Sequence, residues 1–159
     1  MAQGRHSPAS GAYFIGHTTG NGSCGACGGD TMSLLNAASP GFLELIKTFD
    51  IEMLWHPSLS TGNASDHKQM AARIMDGRTE LDILCLEGTI LRGPGGTGRY
   101  DMFMSKPKKD WVAKLAAQAK YVIAVGTCAC YGGVGSTGHV EGTGAQFVHW
   151  TKGGFLGEG

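Results

Sequence analysis

The sequence predicts an α/β fold with a mostly parallel sheet and helices on both of its faces. Short apolar runs alternate along the chain with longer segments of helical periodicity, which indicates βαβ units joined by right-handed crossovers. The 159 residues, 42% of them hydrophobic and 16% charged, suffice for a globular domain with its own core. We therefore expect a single domain over residues 1–159, with ligands at the carboxyl ends of its strands.

Strands and helices are predicted in turn along the chain. The strands are the apolar runs 12–16, 51–55, 81–86 and 121–125. The helices are 31–48, 67–75 and 110–119, and Pro40-Gly41 should interrupt the first of them. Residues 131–159 have no strand pattern, and their glycines and aromatic residues predict an interface loop.

Composition excludes several classes of function. Thirteen Lys and Arg balance thirteen Asp and Glu, so no binding of nucleic acid is expected. The N-terminal residues lack the apolar core of a signal peptide, and no run of about 18 apolar residues follows, which predicts a cytoplasmic protein. The 27 glycines are gathered in a few segments and predict loops that approach a ligand or partner closely.

Cysteines carry the main chemical signal. Cys24 and Cys27 form a Cys-x-x-Cys pair in a glycine-rich loop, and Asp30 follows at the predicted start of a helix. Helix N-termini favour negative groups, so this loop suits a metal cluster, a redox disulfide or an anion. Five cysteines without an export signal argue against a disulfide framework.

A second cysteine pair, Cys128 and Cys130, follows the strand 121–125 and should lie at the same sheet edge. Iron-sulfur clusters take four ligands, mostly thiolates, from separated points of the chain. Cys85 lies inside an apolar run and is interpreted as a core residue. Glu87, at the end of that run, is either a group of the ligand edge or an exposed acid that stabilises the next loop.

Other interpretations stay open at this point. Cys24 and Cys27 could serve a thioredoxin-like dithiol oxidoreductase, or the cysteines could hold structural zinc. The segments 20–25 and 93–98 match the G-x-G-x-x-G pattern of dinucleotide sites, but glycine is so abundant that chance matches are expected. The histidines show no spacing that indicates a site, and most are expected at the surface or at an interface.

Four segments together resemble the small, electron-transferring subunit of nickel-iron hydrogenases. They are Cys27-Gly-Gly-Asp-Thr-Met-Ser-Leu-Leu-Asn36, Leu86-Glu-Gly-Thr-Ile90, Gly95-Gly-Thr-Gly-Arg-Tyr100 and Val125-Gly-Thr-Cys-Ala129. The residues of these segments are most similar to those of the actinobacterial-type, oxygen-tolerant uptake enzymes. The resemblance implies a flavodoxin-like domain that holds the proximal iron-sulfur cluster against a large subunit with the nickel-iron centre.

The resemblance also implies roles for the site residues. The expected cluster ligands are Cys27, Asp30 and Cys128, with Cys24 and Cys130 as neighbours or alternative ligands and Glu87 as a cluster neighbour that accepts or passes protons. Asp30 falls where the family has the second cysteine of its pair; the alternative is that Asp30 is only the helix N-cap. A 4Fe-4S cluster is expected, with a 3Fe-4S form as the alternative. No catalytic residue is expected, because hydrogen is split on the large subunit.

Partners follow from the same resemblance. Electrons should pass from the large subunit through this cluster to further clusters and an acceptor, with a quinone as the candidate. A higher oligomer of heterodimers is expected, with membrane association only through partners. The family's fourth ligand, in a Gly-Cys-Pro segment, and the domain with the medial and distal clusters would follow residue 159. Gly133 stands where the membrane-bound oxygen-tolerant branch has an extra cysteine.

Overall fold

The computed structural model describes residues 10–15, 26–148 and 150–157. Its strands are Ser10–Ile15 (β1), Ile51–Trp55 (β2), Ile83–Glu87 (β3), Ile90–Leu91 (β4), Met102–Phe103 (β5), Lys106–Pro107 (β6), Tyr121–Val125 (β7), Gly142–Thr143 (β8), Phe147–Val148 (β9) and Thr151–Lys152 (β10). Its α-helices are Gly29–Leu35 (α1), Phe42–Thr48 (α2), Ala64–Met75 (α3), Lys108–Ala116 (α4) and Gly126–Tyr131 (α5).

The four longer strands form one parallel sheet in the order β2-β1-β3-β7. The chain moves from β1 to β2 in one direction across the sheet, and from β2 to β3 and then β7 in the other. Right-handed crossovers therefore place α1 and α2 on one face and α3 and α4 on the opposite face. The predicted α/β fold, with a parallel sheet and helices on both faces, is confirmed.

The main core lies between the sheet and the helices α3 and α4. Leu84 and Leu86 of β3 pack there with Ile74 of α3 and with Trp111 and Leu115 of α4, and all five side chains are buried. This packing fixes the end of β3, which is the strand that leads to the predicted ligand edge.

The element boundaries follow local signals in the sequence. The strands β2 and β7 have the predicted bounds, and the predicted break at Pro40-Gly41 separates α1 from α2. Helix α3 begins at residue 64 instead of 67 because the side-chain oxygen of Asn63 accepts the N–H of Ser65 at 2.7 Å. Helix α4 begins at residue 108 instead of 110, directly after Pro107.

Residues 131–157 contain more structure than the sequence predicts. Strand β8 pairs with β4 and strand β10 with β9, both antiparallel. Helix α5, directly after β7, was also not predicted. Two-residue strands and a six-residue helix are too short for hydrophobic periodicity to reveal them. That residues 131–159 form an interface stays a prediction.

The outer strand β7 is open on one side. Within the described part of the chain it has a hydrogen-bonded neighbour, β3, along one edge only. Tyr121 and Ile123 on this strand are exposed. None of the helices that the structure describes is long and apolar enough to cross a membrane.

Candidate functional site

The carboxyl ends of β3 and β7 lie side by side. Glu87, the last residue of β3, is in register with Val125, the last residue of β7. Helix α5 begins at the next residue, Gly126, and carries Cys128 in its first turn. Glu87 and Cys128 therefore lie at the same sheet edge, as the topology predicts.

Glu87 connects this edge to the start of α1. Its carboxylate accepts the backbone N–H of Thr31 at 3.2 Å and the Thr31 hydroxyl at 2.5 Å. Thr31 is 3% exposed and Glu87 is 9% exposed, so both hydrogen bonds are buried. The interpretation of Glu87 as an exposed acid is therefore wrong. Because Thr31 follows Asp30 directly, the contact brings the predicted ligand segment to the end of β3.

Asp30 lies directly over Gly126. A Cβ atom added to Gly126 would stand 2.2 Å from the carboxylate carbon of Asp30 and from both its oxygens, and Gly126 has a φ of +81°. Only glycine leaves room for this carboxylate. Burial, and the nearby charge of Glu87, raise the pKa of Asp30. The N-cap residue of α1 is Gly28, which has no side chain to accept a hydrogen bond from the helix. Asp30 is therefore not the N-cap.

Cys27 precedes α1 and is exposed to solvent. Its sulfur accepts the backbone N–H of Gly29 at 3.4 Å. The other cysteine of the predicted pair, Cys24, lies outside the described residues, and so does the glycine-rich segment 20–25.

Cys128 lies against Gly133 in the short 3₁₀ turn Gly133–Ser136. A Cβ atom on Gly133 would stand 2.5 Å from the Cys128 sulfur, and Gly133 has a φ of +51°. Gly133 therefore gives the Cys128 sulfur its space.

The other two described cysteines have different surroundings. Cys85 is buried in the small core cluster with Ala12, and burial raises the pKa of its thiol to about 12, which confirms its role as a core residue. The Cys130 thiol donates to the Ala124 carbonyl at 3.5 Å and lines a cavity of about 80 Å³ together with Phe147. Burial and the charge of Asp30 raise the pKa of Cys130. Its role as an alternative ligand stays a prediction.

The cysteine and carboxylate donors at this edge suit an iron-sulfur cluster, whereas the described residues contain no complete site for a single metal ion. Within residues 10–15, 26–148 and 150–157, no three His, Cys, Asp or Glu side chains are grouped closely enough to hold one metal ion. A cluster bridges a wider space, since each ligand binds a different iron atom. Glycine at positions 126 and 133 leaves room beside the Asp30 carboxylate and the Cys128 sulfur, where an added Cβ would overlap them.

The second G-x-G-x-x-G segment, residues 93–98, has a structural role. The backbone N–H groups of Gly95 and Gly96 bind the carboxylate of Glu141 at 2.7 Å and 3.0 Å. The donors that would contact a phosphate in a nucleotide site are thus bound to a side chain of the same protein. Sequence analysis missed Glu141, because nothing in the spacing connects it to this loop.

Two of the three described histidines, His56 and His67, are buried, while His139 is exposed. His67 of α3 stacks on Trp55, with ring centroids 4.6 Å apart and planes within 3° of parallel. Burial, together with the charge of Lys108, lowers the pKa of His67 to about 4. His56 is 1% exposed. Both belong to the interior.

A family described as NADH ubiquinone oxidoreductase, 20 kDa subunit, matches residues 27–152. The chain belongs to this family. The match begins at Cys27 and includes Asp30, Glu87 and Cys128, so the ligand edge lies within the part of the chain that defines the family.

Curated proteins with sequences similar to this chain are hydrogenase small subunits. The F420 non-reducing hydrogenase II small subunit of Methanosarcina mazei is 30% identical over 120 residues, which cover 69% of this chain and 31% of the relative. The hydrogenase-2 small chain of Escherichia coli is 31% identical over 120 residues, covering 75% and 31%. The chain thus spans about a third of the length of these relatives. The resemblance to hydrogenase small subunits is confirmed, and the thioredoxin-like alternative has no support.

Solved family structures share the fold. The actinobacterial-type NiFe-hydrogenase from Ralstonia eutropha H16 aligns with a TM-score of 0.69 at 23% identity, over 96% of this chain and 48% of that chain. The Ni-Fe-Se hydrogenase from Desulfomicrobium baculatum aligns with a TM-score of 0.68 at 22% identity, over 86% and 50%. The type predicted from the sequence motifs is thus among the structural neighbours.

Proposed function

We propose that this chain is the electron-transfer part of a nickel-iron hydrogenase small subunit and holds an iron-sulfur cluster at the edge formed by α1 and α5. One observation carries the proposal. Helix α1, which follows Cys27 and carries Asp30, and helix α5, which carries Cys128, both begin at this edge, and a side chain at Gly126 or Gly133 would overlap the Asp30 carboxylate or the Cys128 sulfur.

The proposed ligands are Cys27, Asp30 and Cys128, in a 4Fe-4S cluster whose remaining ligand lies outside the described residues. When bound, such a cluster accepts and releases one electron at a time. A carboxylate is a harder ligand than a thiolate, so the iron at Asp30 would be held less firmly and a 3Fe-4S form would arise on its loss. Cys24 is the alternative ligand at that position.

The proposed partner is the hydrogenase large subunit, which would carry the nickel-iron centre. Exposed apolar side chains on both sides of the ligand edge support a partner there. Met32 is exposed on α1, and Val134 and Trp150 are 91% and 75% exposed in the segment after α5. Apolar exposure on this scale is typical of an interaction surface. We propose a quinone as the final acceptor, oligomers of heterodimers, and membrane association through partners.

Two matched cysteine variants test this function. Cys128→Ala should remove the cluster from the anaerobically purified complex, because a ligand is lost, whereas Cys85→Ala should retain it, because Cys85 lies in the core. Iron and sulfide analysis together with electron paramagnetic resonance (EPR) measures the outcome. Equal loss of iron in both variants would place the site elsewhere.

The same measurement separates the two ligands proposed for the second position. With Asp30 as the ligand, Asp30→Ala should lose iron or convert the cluster to a three-iron form, and Cys24→Ala should leave the EPR spectrum unchanged. The reverse pattern would assign that position to Cys24.

A further inference from the structure

The turn that follows β3, Glu87-Gly88-Thr89, contacts both helices that carry the proposed ligands. Its first contact is with α1. The helix has Gly28 at its N-cap position, with no side chain to accept the free N–H groups. Glu87, 56 residues away in sequence, supplies the missing acceptor through the N–H and hydroxyl of Thr31.

The second contact is with α5. The Thr89 hydroxyl donates to the carbonyl of Gly132 at 2.7 Å, and this hydrogen bond is buried. Gly132 ends α5, and its own N–H binds the carbonyl of Cys128 at 2.9 Å. Thr89 is therefore two hydrogen bonds away from the backbone of a proposed ligand.

Glycines enclose the Thr89 side chain. A Cβ atom on Gly135 would stand 3.0 Å from the Thr89 hydroxyl, and one on Gly142 would stand 2.6 Å from the Thr89 methyl group. Thr89 is 7% exposed, so the side chain is held in one place. The position of the Thr89 hydroxyl, which donates the hydrogen bond to Gly132, is therefore fixed.

We propose that this turn is a positioning device in which Glu87 sets the start of α1, Thr89 sets the end of α5, and the two together fix the spacing between the halves of the ligand set. The proposal rests on the proposed function for the identity of the ligands. Short helices need outside contacts for stability, because a seven-residue helix is marginal by itself. A carboxylate at a helix N-terminus and buried hydrogen bonds to a charge are both strongly stabilising.

Hydrogen exchange in the purified complex tests each contact separately. Thr31→Val should speed exchange of the amides of residues 29–35 by about tenfold or more and leave those of residues 126–131 unchanged. Thr89→Val should do the opposite. The conservative variants Thr31→Ser and Thr89→Ser keep the hydroxyl and should exchange as the wild type does. Equal changes in both helices, or none, would overturn the proposal.

The cluster supplies a second readout. In Thr31→Val and Thr89→Val, the iron content should be retained while the EPR signal and the reduction potential of the cluster shift, and the Ser variants should restore both. An altered exchange pattern with an unchanged spectrum and potential would overturn the positioning role. A wild-type complex without cluster iron would refute the proposed function instead, and the exchange experiment would still test the two contacts.

Discussion

The helices α3 and α1 begin in opposite ways. At α3 the cap is local: Asn63 accepts the N–H groups of Ser65 and Asp66, and the Asp66 carboxylate accepts the N–H of Asn63 at 2.8 Å. At α1 the cap comes from Glu87 in a distant strand. The acceptors at the start of α3 thus lie within that helix's own segment, whereas the acceptor at the start of α1 belongs to a strand of the sheet.

This difference in capping distinguishes α3, a helix of the core, from α1, a helix at the proposed cluster site. The first turn of a locally capped helix does not depend on contacts with other parts of the chain. This independence suits α3, which packs in the core. A helix whose start depends on a tertiary contact places its first turn according to the geometry of the sheet edge. That dependence suits the proposed cluster site, since the proposed ligands Cys27 and Asp30 lie at the start of α1, and it makes α1 the more fragile of the two.

The largest expected effect is at Gly126, beneath Asp30. Gly126→Ala would place a methyl group 2.2 Å from the carboxylate and hold alanine at a φ of +81°, so α1 must move away from the edge. We expect a loss of about 3 kcal/mol or more in the free energy of unfolding. Denaturant titration followed by circular dichroism measures it.

Gly77, after α3, provides the matched control. It also has a positive φ, of +69°, but no atom lies within 4 Å of an added Cβ. Gly77→Ala should cost only the backbone strain, about 1 kcal/mol. If Gly126→Ala and Gly77→Ala lower the free energy of unfolding by the same amount, the overlap with Asp30 contributes nothing to stability. The contrast between α1 and α3 would then be wrong.

A pH titration of the unfolding free energy tests the buried face of α3, where His67 lies. Burial lowers the pKa of His67 from 6.5 to about 4, so the unfolded chain binds a proton that the folded chain excludes. The stability that neutral His67 provides is complete above pH 6.5 and is lost as the pH falls toward about 4. We expect a loss of about 2 kcal/mol between pH 7 and 5, seen as a shift of the urea midpoint.

His67→Phe isolates this contribution. Phenylalanine keeps an aromatic ring beside Trp55 and Phe103 but does not titrate. The variant should lose less stability than the wild type over the same pH range. Parallel pH profiles for the two proteins would show that His67 is not the group responsible.

The smallest expected effect is at the local cap of α3. Asn63→Ala removes the acceptor for two N–H groups and should cost about 1 kcal/mol. Lys68→Ala, at an exposed position of the same helix, should change the unfolding free energy by less than about 0.5 kcal/mol. Amide exchange should rise at the start of α3 and stay constant in α1; a rise in both helices would contradict their independence.

The sequence predicts the fold well where the signals are local. Strands β2 and β7 have the predicted bounds, since each is a short apolar run between turn residues. The sequence does not reveal helix α5, because six residues are too few to show a helical period, or the pair of β4 with β8, because its hydrogen bonds join two-residue segments that are distant in sequence.

For the site, the sequence indicates which residues matter but not how they are held. The cysteine spacing and the family motifs point to Cys27, Asp30 and Cys128. No pattern shows that Asp30 lies on Gly126 or that Glu87 caps α1, since both contacts exist only after β3 and β7 align. Glu87 appeared equally suited to a surface role, because a carboxylate at the end of a strand is buried only when a donor reaches it.

The open side of β7 has a practical consequence for handling the protein. A strand that has no hydrogen-bonded neighbour on one edge among the described residues, and that exposes Tyr121 and Ile123, is a template on which another strand can form. Neither Tyr121 nor Ile123 carries the charge that discourages such growth, and the strand contains no proline. Production of this chain by itself therefore favours aggregation, and coexpression with the proposed large subunit tests whether a partner prevents it.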